Sequence, residues 1–172
     1  MDEPLPRMPL HLCSRATRLG DLAEALYWAI DDVGLRLPSR RDIARHAHVS
    51  EATISRRLRD TGHTEDRVAS ALVSARGMTY PPGRPEEGWS RWVPGSDLAL
   101  QDVRVWVAGL AAATHSPTVM EAVRSVWERE HWAVVRQLTG EPHWAERPCP
   151  PEVSRDAQLV QAVLLGLSIR RL

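Results

Sequence analysis

Apolar residues return along most of this chain at helical spacing. Leu19, Leu22, Ala23, Leu26, Ile30 and Val33 form one stripe, and Gly34 followed by Pro38 marks its end. Ser39-Arg40-Arg41-Asp42 fits a capping box, with Ser at the N-cap and an acid three residues on, and predicts a short helix to about His46. His48-Val49-Ser50 leaves room only for a tight turn, and Ser50 is placed to cap a helix from Glu51 to about Arg59. After Gly62, Thr64 opens a fourth helix with Glu65 and Asp66 in its first turn and Val68, Leu72 and Ala75 on its stripe, ending at Gly77.

Residues 78–96 hold four Pro and three Gly and read as a linker, the best place for a domain boundary. Three longer helical patterns follow. One runs from about Asp97 to Thr114. The second opens with Ser116-Pro117, a cap and then Pro at the first helical position, and runs to Gly140 with Val119, Val123, Val126, Trp127, Val134 and Leu138 as its stripe. After the Pro-rich stretch Pro142 to Pro151, the last runs from about Val153 to Arg170. That helix is apolar on two faces, Val160, Val163, Leu164 and Leu167 on one and Leu159, Ala162 and Ile169 on the other. Such a helix needs cover on both sides; in so short a chain the second cover is expected to be another subunit. With no strand pattern and no repeat, the expected class is all-α.

Composition narrows the chemistry. All 22 basic residues among the 172 are Arg; Lys, Phe and Asn are absent. A chain without Lys has no P-loop lysine, no Schiff base and no kinase-type lysine, so every cationic phosphate contact falls to Arg. The missing residue types share AT-rich codons and point to a GC-rich bacterial genome. The two cysteines, Cys13 and Cys149, form no metal or disulfide pattern. The Pro-broken, initially acidic N-terminus does not read as a signal peptide, and an apolar run such as Ala162 to Leu167 is too short to span a bilayer. The expectation is a soluble cytoplasmic protein. Sequence motifs for a nucleophile elbow, a zinc protease or a phosphate loop are missing, so no enzyme, cofactor or metal site is expected.

The formal charge is zero, but it is unevenly spread. From Arg36 to Arg59 seven Arg face only Asp42 and Glu51, a local net of +5. The same stretch, RRDIARHAHVSEATISRRL, has the layout of a helix-turn-helix. Ala44 is the small residue where two helices cross, His48 sits where the turn needs positive φ, and Ile54 is the branched residue that packs back on the first helix. Concentrated Arg releases counterions from a duplex, and the first residues of a recognition helix reach base edges. Glu51, Ala52, Thr53, Ser55 and Arg56 are the expected base readers, with Arg56 suited to guanine and Ala52 or the Thr53 methyl to thymine. Ser39, Arg40, Arg41, Ser50, Arg57 and Arg59 are the expected phosphate contacts. The plainer account of the same residues is a solvated basic face.

This arrangement resembles the N-terminal domain of TetR-family regulators over about residues 16–77. Leu37 to Ala44 is similar to the family's T-x-R-D-I-A opening of the second helix, Val49-Ser50 to its turn, and Thr64 to Leu72 to the acidic start of its fourth helix. Ser55 stands where the family often has Tyr, and Arg57 where it often has His or Tyr, which moves phosphate binding to Arg. The segment Ala52 to Arg56 also resembles LacI-type recognition helices. The resemblance implies a sequence-specific regulator, typically a repressor released by a small-molecule effector, binding a pseudo-palindromic double-stranded DNA operator as a homodimer.

The resulting layout is a disordered arm over 1–14, a three/four-helix helix-turn-helix domain over 15–77, the 78–96 linker, and a short helical dimerisation and effector domain over 97–172. Trp92, Trp106, Trp127 and His131 are candidates for an effector pocket, although Trp filling the volume of the missing Phe explains the same residues as core. Val126, Val134, Leu159, Ala162, Val163 and Ile169 are the candidate dimer interface. The competing hypothesis keeps the fold and makes the chain a helical partner-binding or dimerisation protein whose helix-turn-helix no longer reads DNA.

Overall fold

The computed structural model describes residues 19–34, 36–62, 64–79, 89–140 and 149–172. The 1–14 arm and the greater part of the Pro142 to Pro151 stretch lie outside them, as do residues 80–88 of the linker. The described residues form seven α-helices: α1 Leu19–Val33, α2 Arg40–His46, α3 Glu51–Thr61, α4 Glu65–Thr79, α5 Asp97–Ala113, α6 Pro117–Thr139 and α7 Pro151–Ile169. One 3-10 turn, Trp89–Trp92, precedes α5. The described residues contain no strand, as the helical spacing predicts.

Local chemistry sets the helix ends. Ser39, Ser50, Ser96 and Ser116 are extended N-caps whose hydroxyls accept an N–H from the first turn of α2, α3, α5 and α6. Gly62 and Gly140 stop α3 and α6 in the left-handed region at φ 65° and 68°. Gly77 does not end its helix; α4 absorbs it and runs to Thr79.

Two cores share α5. In the first, Leu22, Leu26 and Ile30 of α1 meet Ile43 and Ala44 of α2, Ile54 and Leu58 of α3, Val68 and Leu72 of α4, and Val105 and Ala108 of α5. In the second, Ala69 and Val73 of α4 and Trp106 of α5 pack on Val119, Val123 and Val126 of α6. Helix α4 packs more extensively on α6 than any other pair of elements does. A third group, Trp92, Ala133, Val134, Val135 and Ala157, seats α7 on α6.

Polar ties cross the same junctions. Tyr27 on α1 donates its hydroxyl to Asp102 Oδ1 on α5 at 2.9 Å, and Gln101 Nε2 donates to the Tyr27 carbonyl at 2.6 Å. Burial first, and the Asp102 carboxylate after it, raise the Tyr27 phenol above its ordinary value, so it stays a proton donor. Ser116, the α6 cap, donates to Asp66 in the first turn of α4 at 2.8 Å.

Helix α7 divides differently from the sequence pattern. Ala157, Val160, Gln161, Leu164, Leu165 and Ser168 face the bundle, while Leu159, Ala162, Val163, Leu167 and Ile169 stand exposed together. Val163 and Leu167 therefore belong with Leu159, not with Leu164. A helix apolar almost all round carries no internal mark of which side packs.

Candidate nucleic-acid interface

The helix-turn-helix is built by caps, a crossing and one unusual turn. The Ser39 hydroxyl accepts the Asp42 N–H at 3.3 Å, and the Asp42 carboxylate accepts the Ser39 N–H at 3.0 Å, completing the capping box of α2. Ala44 is buried at the crossing, and its carbonyl accepts the Val49 N–H at 3.0 Å to close the turn. His48 has φ 51°, the only non-glycine positive φ among the described residues, where the sequence places the positive-φ position. Ser50 accepts the Thr53 N–H at 3.1 Å and starts α3.

Helix α3 then has an inner and an outer side. Ile54 and Leu58 are buried, each worth about 1.5–3 kcal/mol of burial. Glu51, Ala52, Arg56, Arg57 and Arg59 are exposed, and Thr53 and Ser55 are half-buried beside them. Ser39, Arg40, Arg41 and Ser50 are exposed on or before the first turns of α2 and α3. The Thr53 hydroxyl lies 2.9 Å from that of Ser50, so one of its hydrogen bonds is already taken.

The basic cluster is partly neutralised from within. Asp42 is buried and holds two guanidiniums, Arg36 at 3.4 Å and Arg45 at 2.5 Å, besides the Ser39 hydroxyl at 2.7 Å. The Ser39 hydroxyl above all, helped by the Ser39 N–H and both guanidiniums, keeps the Asp42 carboxyl below the usual carboxylate range despite burial. Arg40 reaches across to α4 and pairs with Glu65, Nε to Oε1 and Nη2 to Oε2, the latter at 3.4 Å. The hydrogen bond from Arg40 lowers the Glu65 carboxyl, and the same bond raises the Arg40 guanidinium. Arg41, Arg56 and Arg59 carry no ion pair among the described residues. Sequence reasoning counts seven cations here and misses these internal partners. Only the Asp42–Arg45 pair, at i and i+3 on one helix, leaves a trace in the sequence.

Three of the four candidate pocket residues line one cavity. Trp92, Trp106 and Trp127 enclose it together with Glu130, Gln161 and Ser168, between α5, α6, α7 and the 3-10 turn. Trp106 and Trp127 are stacked, with centroids 6.3 Å apart and planes 4° apart. The free space is about 20 Å³, room for about one water molecule. His131 is not part of this lining. Its Nδ1 meets Gln161 Oε1 at 3.2 Å and its Nε2 meets Ser154 Oγ at 3.3 Å, so it ties α6 to α7.

The candidate dimer residues separate into two groups. Val126 and Val134 are both 0% exposed, enclosed by the chain's own helices, and so do not present themselves to a second copy. Their stripe marks burial, and α4, α5 and α7 supply it. Leu159 is 61% and Val163 60% exposed, and Ala162 and Ile169 are exposed on the same helix.

No family model matches the chain, and no curated protein matches it. Among solved structures the chain is similar to a transcriptional regulator from Rhodococcus sp. Rha1, 22% identical, with a TM-score of 0.68 over 90% of this chain and 83% of that one. What the likeness shows is a shared fold, which in this chain is the all-α arrangement of α1 to α7.

Proposed function

We propose that this chain is a sequence-specific DNA-binding transcriptional regulator of TetR-like organisation. The observation that carries the reading is the two-sided α3. Ile54 and Leu58 hold it against α2 and the first core, while Glu51, Ala52, Arg56, Arg57 and Arg59 remain on the outside. That is what a helix needs to lie in a major groove with its first residues on base edges. The similar Rhodococcus protein is itself a transcriptional regulator, which agrees with this reading. No helix among the described residues is long and apolar enough to cross a membrane.

In this reading α3 is the recognition helix. Arg56 takes guanine in a forked contact and Ala52 or the Thr53 methyl meets thymine, while Ser39, Arg40, Arg41, Ser50, Arg57 and Arg59 hold phosphates. Two copies pair through the Leu159, Ala162, Val163 and Ile169 face of α7 and engage a pseudo-palindrome with half-sites about 34 Å apart. The protein acts in the bacterial cytoplasm as a repressor, with residues 15–77 reading DNA and 97–172 pairing the copies and receiving an effector. The Trp-lined cavity holds one water's worth of space, so an effector enters only if the lining moves apart. Its binding must favour one spacing of the two recognition helices to change operator affinity.

Selection of bound duplexes from a random pool, at low and near-physiological salt, tests the core of this proposal. A recovered inverted repeat is the expected outcome. Absence of any bound duplex at low salt would instead favour the partner-binding protein, a reading to which the carboxylates holding Arg36, Arg40 and Arg45 lend some weight.

A further inference from the structure

We propose that Glu65 is an internal phosphate mimic, and that Arg40 reaches a DNA phosphate only by exchanging Glu65 for it. The inference rests on the DNA-binding reading above and assigns a controlling residue outside the helix-turn-helix itself. Arg40 opens α2, and Glu65 opens α4, 25 positions later. The contact is forked: Nε and Nη2 of the guanidinium address the two carboxylate oxygens. A phosphate would use the same fork, so Glu65 and phosphate compete for one set of donors.

The pair is weak enough to exchange. Its side chains are 48% and 34% exposed, so water screens them, and exposed pairs of this kind are marginal. The rest of the α4 first turn is anchored without Arg40. Asp66 accepts the Ser116 hydroxyl at 2.8 Å, and the Arg67 N–H meets Thr64 Oγ1 at 3.3 Å. Losing the Arg40 contact therefore need not dislodge the helix. After exchange Glu65 stands without its cation and takes up a counterion from solution, so the wild-type protein releases about one ion fewer than its phosphate contacts would suggest.

The test is a double-mutant cycle with Glu65→Gln, Arg40→Gln and the double variant, titrated on a short mixed-sequence duplex from about 50 to 200 mM salt. No operator is needed, because phosphate contacts are read. Glu65→Gln is expected to bind about two- to fivefold tighter, the worth of one exposed pair. Its dependence of log affinity on log salt should steepen by about 0.9. Arg40→Gln should cost less than about twofold alone, but about fivefold in the Glu65→Gln background, where nothing competes for the guanidinium.

If Glu65→Gln tightens binding equally with and without Arg40, Glu65 acts only by through-space repulsion and the exchange is refuted. If all four proteins bind no duplex at the lowest salt while their melting curves show them folded, the DNA reading itself has failed, and the exchange falls with it. Binding by the wild type with additive mutant effects removes only the exchange.

Discussion

Replacing Gly109 with Ala probes the seam that joins the two cores. A methyl built on Gly109 would lie 2.6 Å from Val73 Cγ2, with Val73 Cβ at 3.8 Å and Val123 Cγ2 at 3.9 Å. Carbon atoms settle at about 3.5–4.0 Å, so the first contact is roughly 1 Å too short. Val73 has little freedom to give way. It is 0% exposed, and a β-branched side chain in a helix has one strongly preferred rotamer. Two terms oppose each other. Ala gains about 1 kcal/mol over Gly in helix propensity, and overpacking a tight site costs about 1–3 kcal/mol. The expected result is a loss of about 0–2 kcal/mol, and each kcal/mol lowers Tm by about 2–4 °C in a chain of this size.

Urea unfolding followed by far-UV circular dichroism measures this, with protein concentration held constant because pairing of copies would itself shift stability. The same substitution in a Val73→Ala background should reverse sign and stabilise by about 1 kcal/mol, since the obstructing methyl is gone. If Gly109→Ala alone stabilises by that full amount, α4 and α5 do not approach as closely as described, and the packing account of the seam is refuted.

Other consequences are open to measurement. Arg56→Ala should relax base preference and cost about 1–3 kcal/mol at a selected site, while Arg57→Ala should weaken all sequences alike, both read by competition titration. Leu159→Glu with Val163→Glu should give a folded monomer by light scattering, because both side chains are exposed in the single chain; an unchanged dimer would place the interface elsewhere. His48→Gly should be neutral or stabilise by up to about 1 kcal/mol in thermal melts, since it relieves a side chain held at φ 51°. For Asp42, a depressed folded-state pKa means that its stabilisation is present above the ordinary carboxylate value and is lost as pH falls through the folded value. Asp42→Asn should therefore flatten the acid limb of stability against pH, and an unchanged limb would show that Asp42 does not carry it.

What the sequence made legible was local. Ser39 and Ser50 lie within four residues of the N–H groups they cap, and Ile54, Leu58 and Ala44 follow from helical spacing within one motif. His48 stood out because the turn needs a positive φ and no glycine is there. What stayed hidden was relational. Arg40 meets Glu65 25 residues away, Ser116 meets Asp66 at 50, and Tyr27 meets Asp102 at 75. Periodicity says that Val126 and Val134 are buried but not what buries them. It also marks Leu164 and Val163 alike as apolar on α7, although one packs inward and the other faces out. The Trp residues could be collected into one pocket from composition, but its volume depends on α7 and the 3-10 turn closing over it.

The stacked Trp106–Trp127 pair has an optical consequence. Two parallel indoles 6.3 Å apart on α5 and α6 couple their electronic transitions, and their 4° alignment sets them apart from the Trp89–Trp92 pair, equally close but tilted by 40°. Any motion that slides α5 against α6, or wedges a molecule between the rings, would alter that coupled band in the near-ultraviolet. The molecule thus carries a label-free reporter at the junction of α5 and α6.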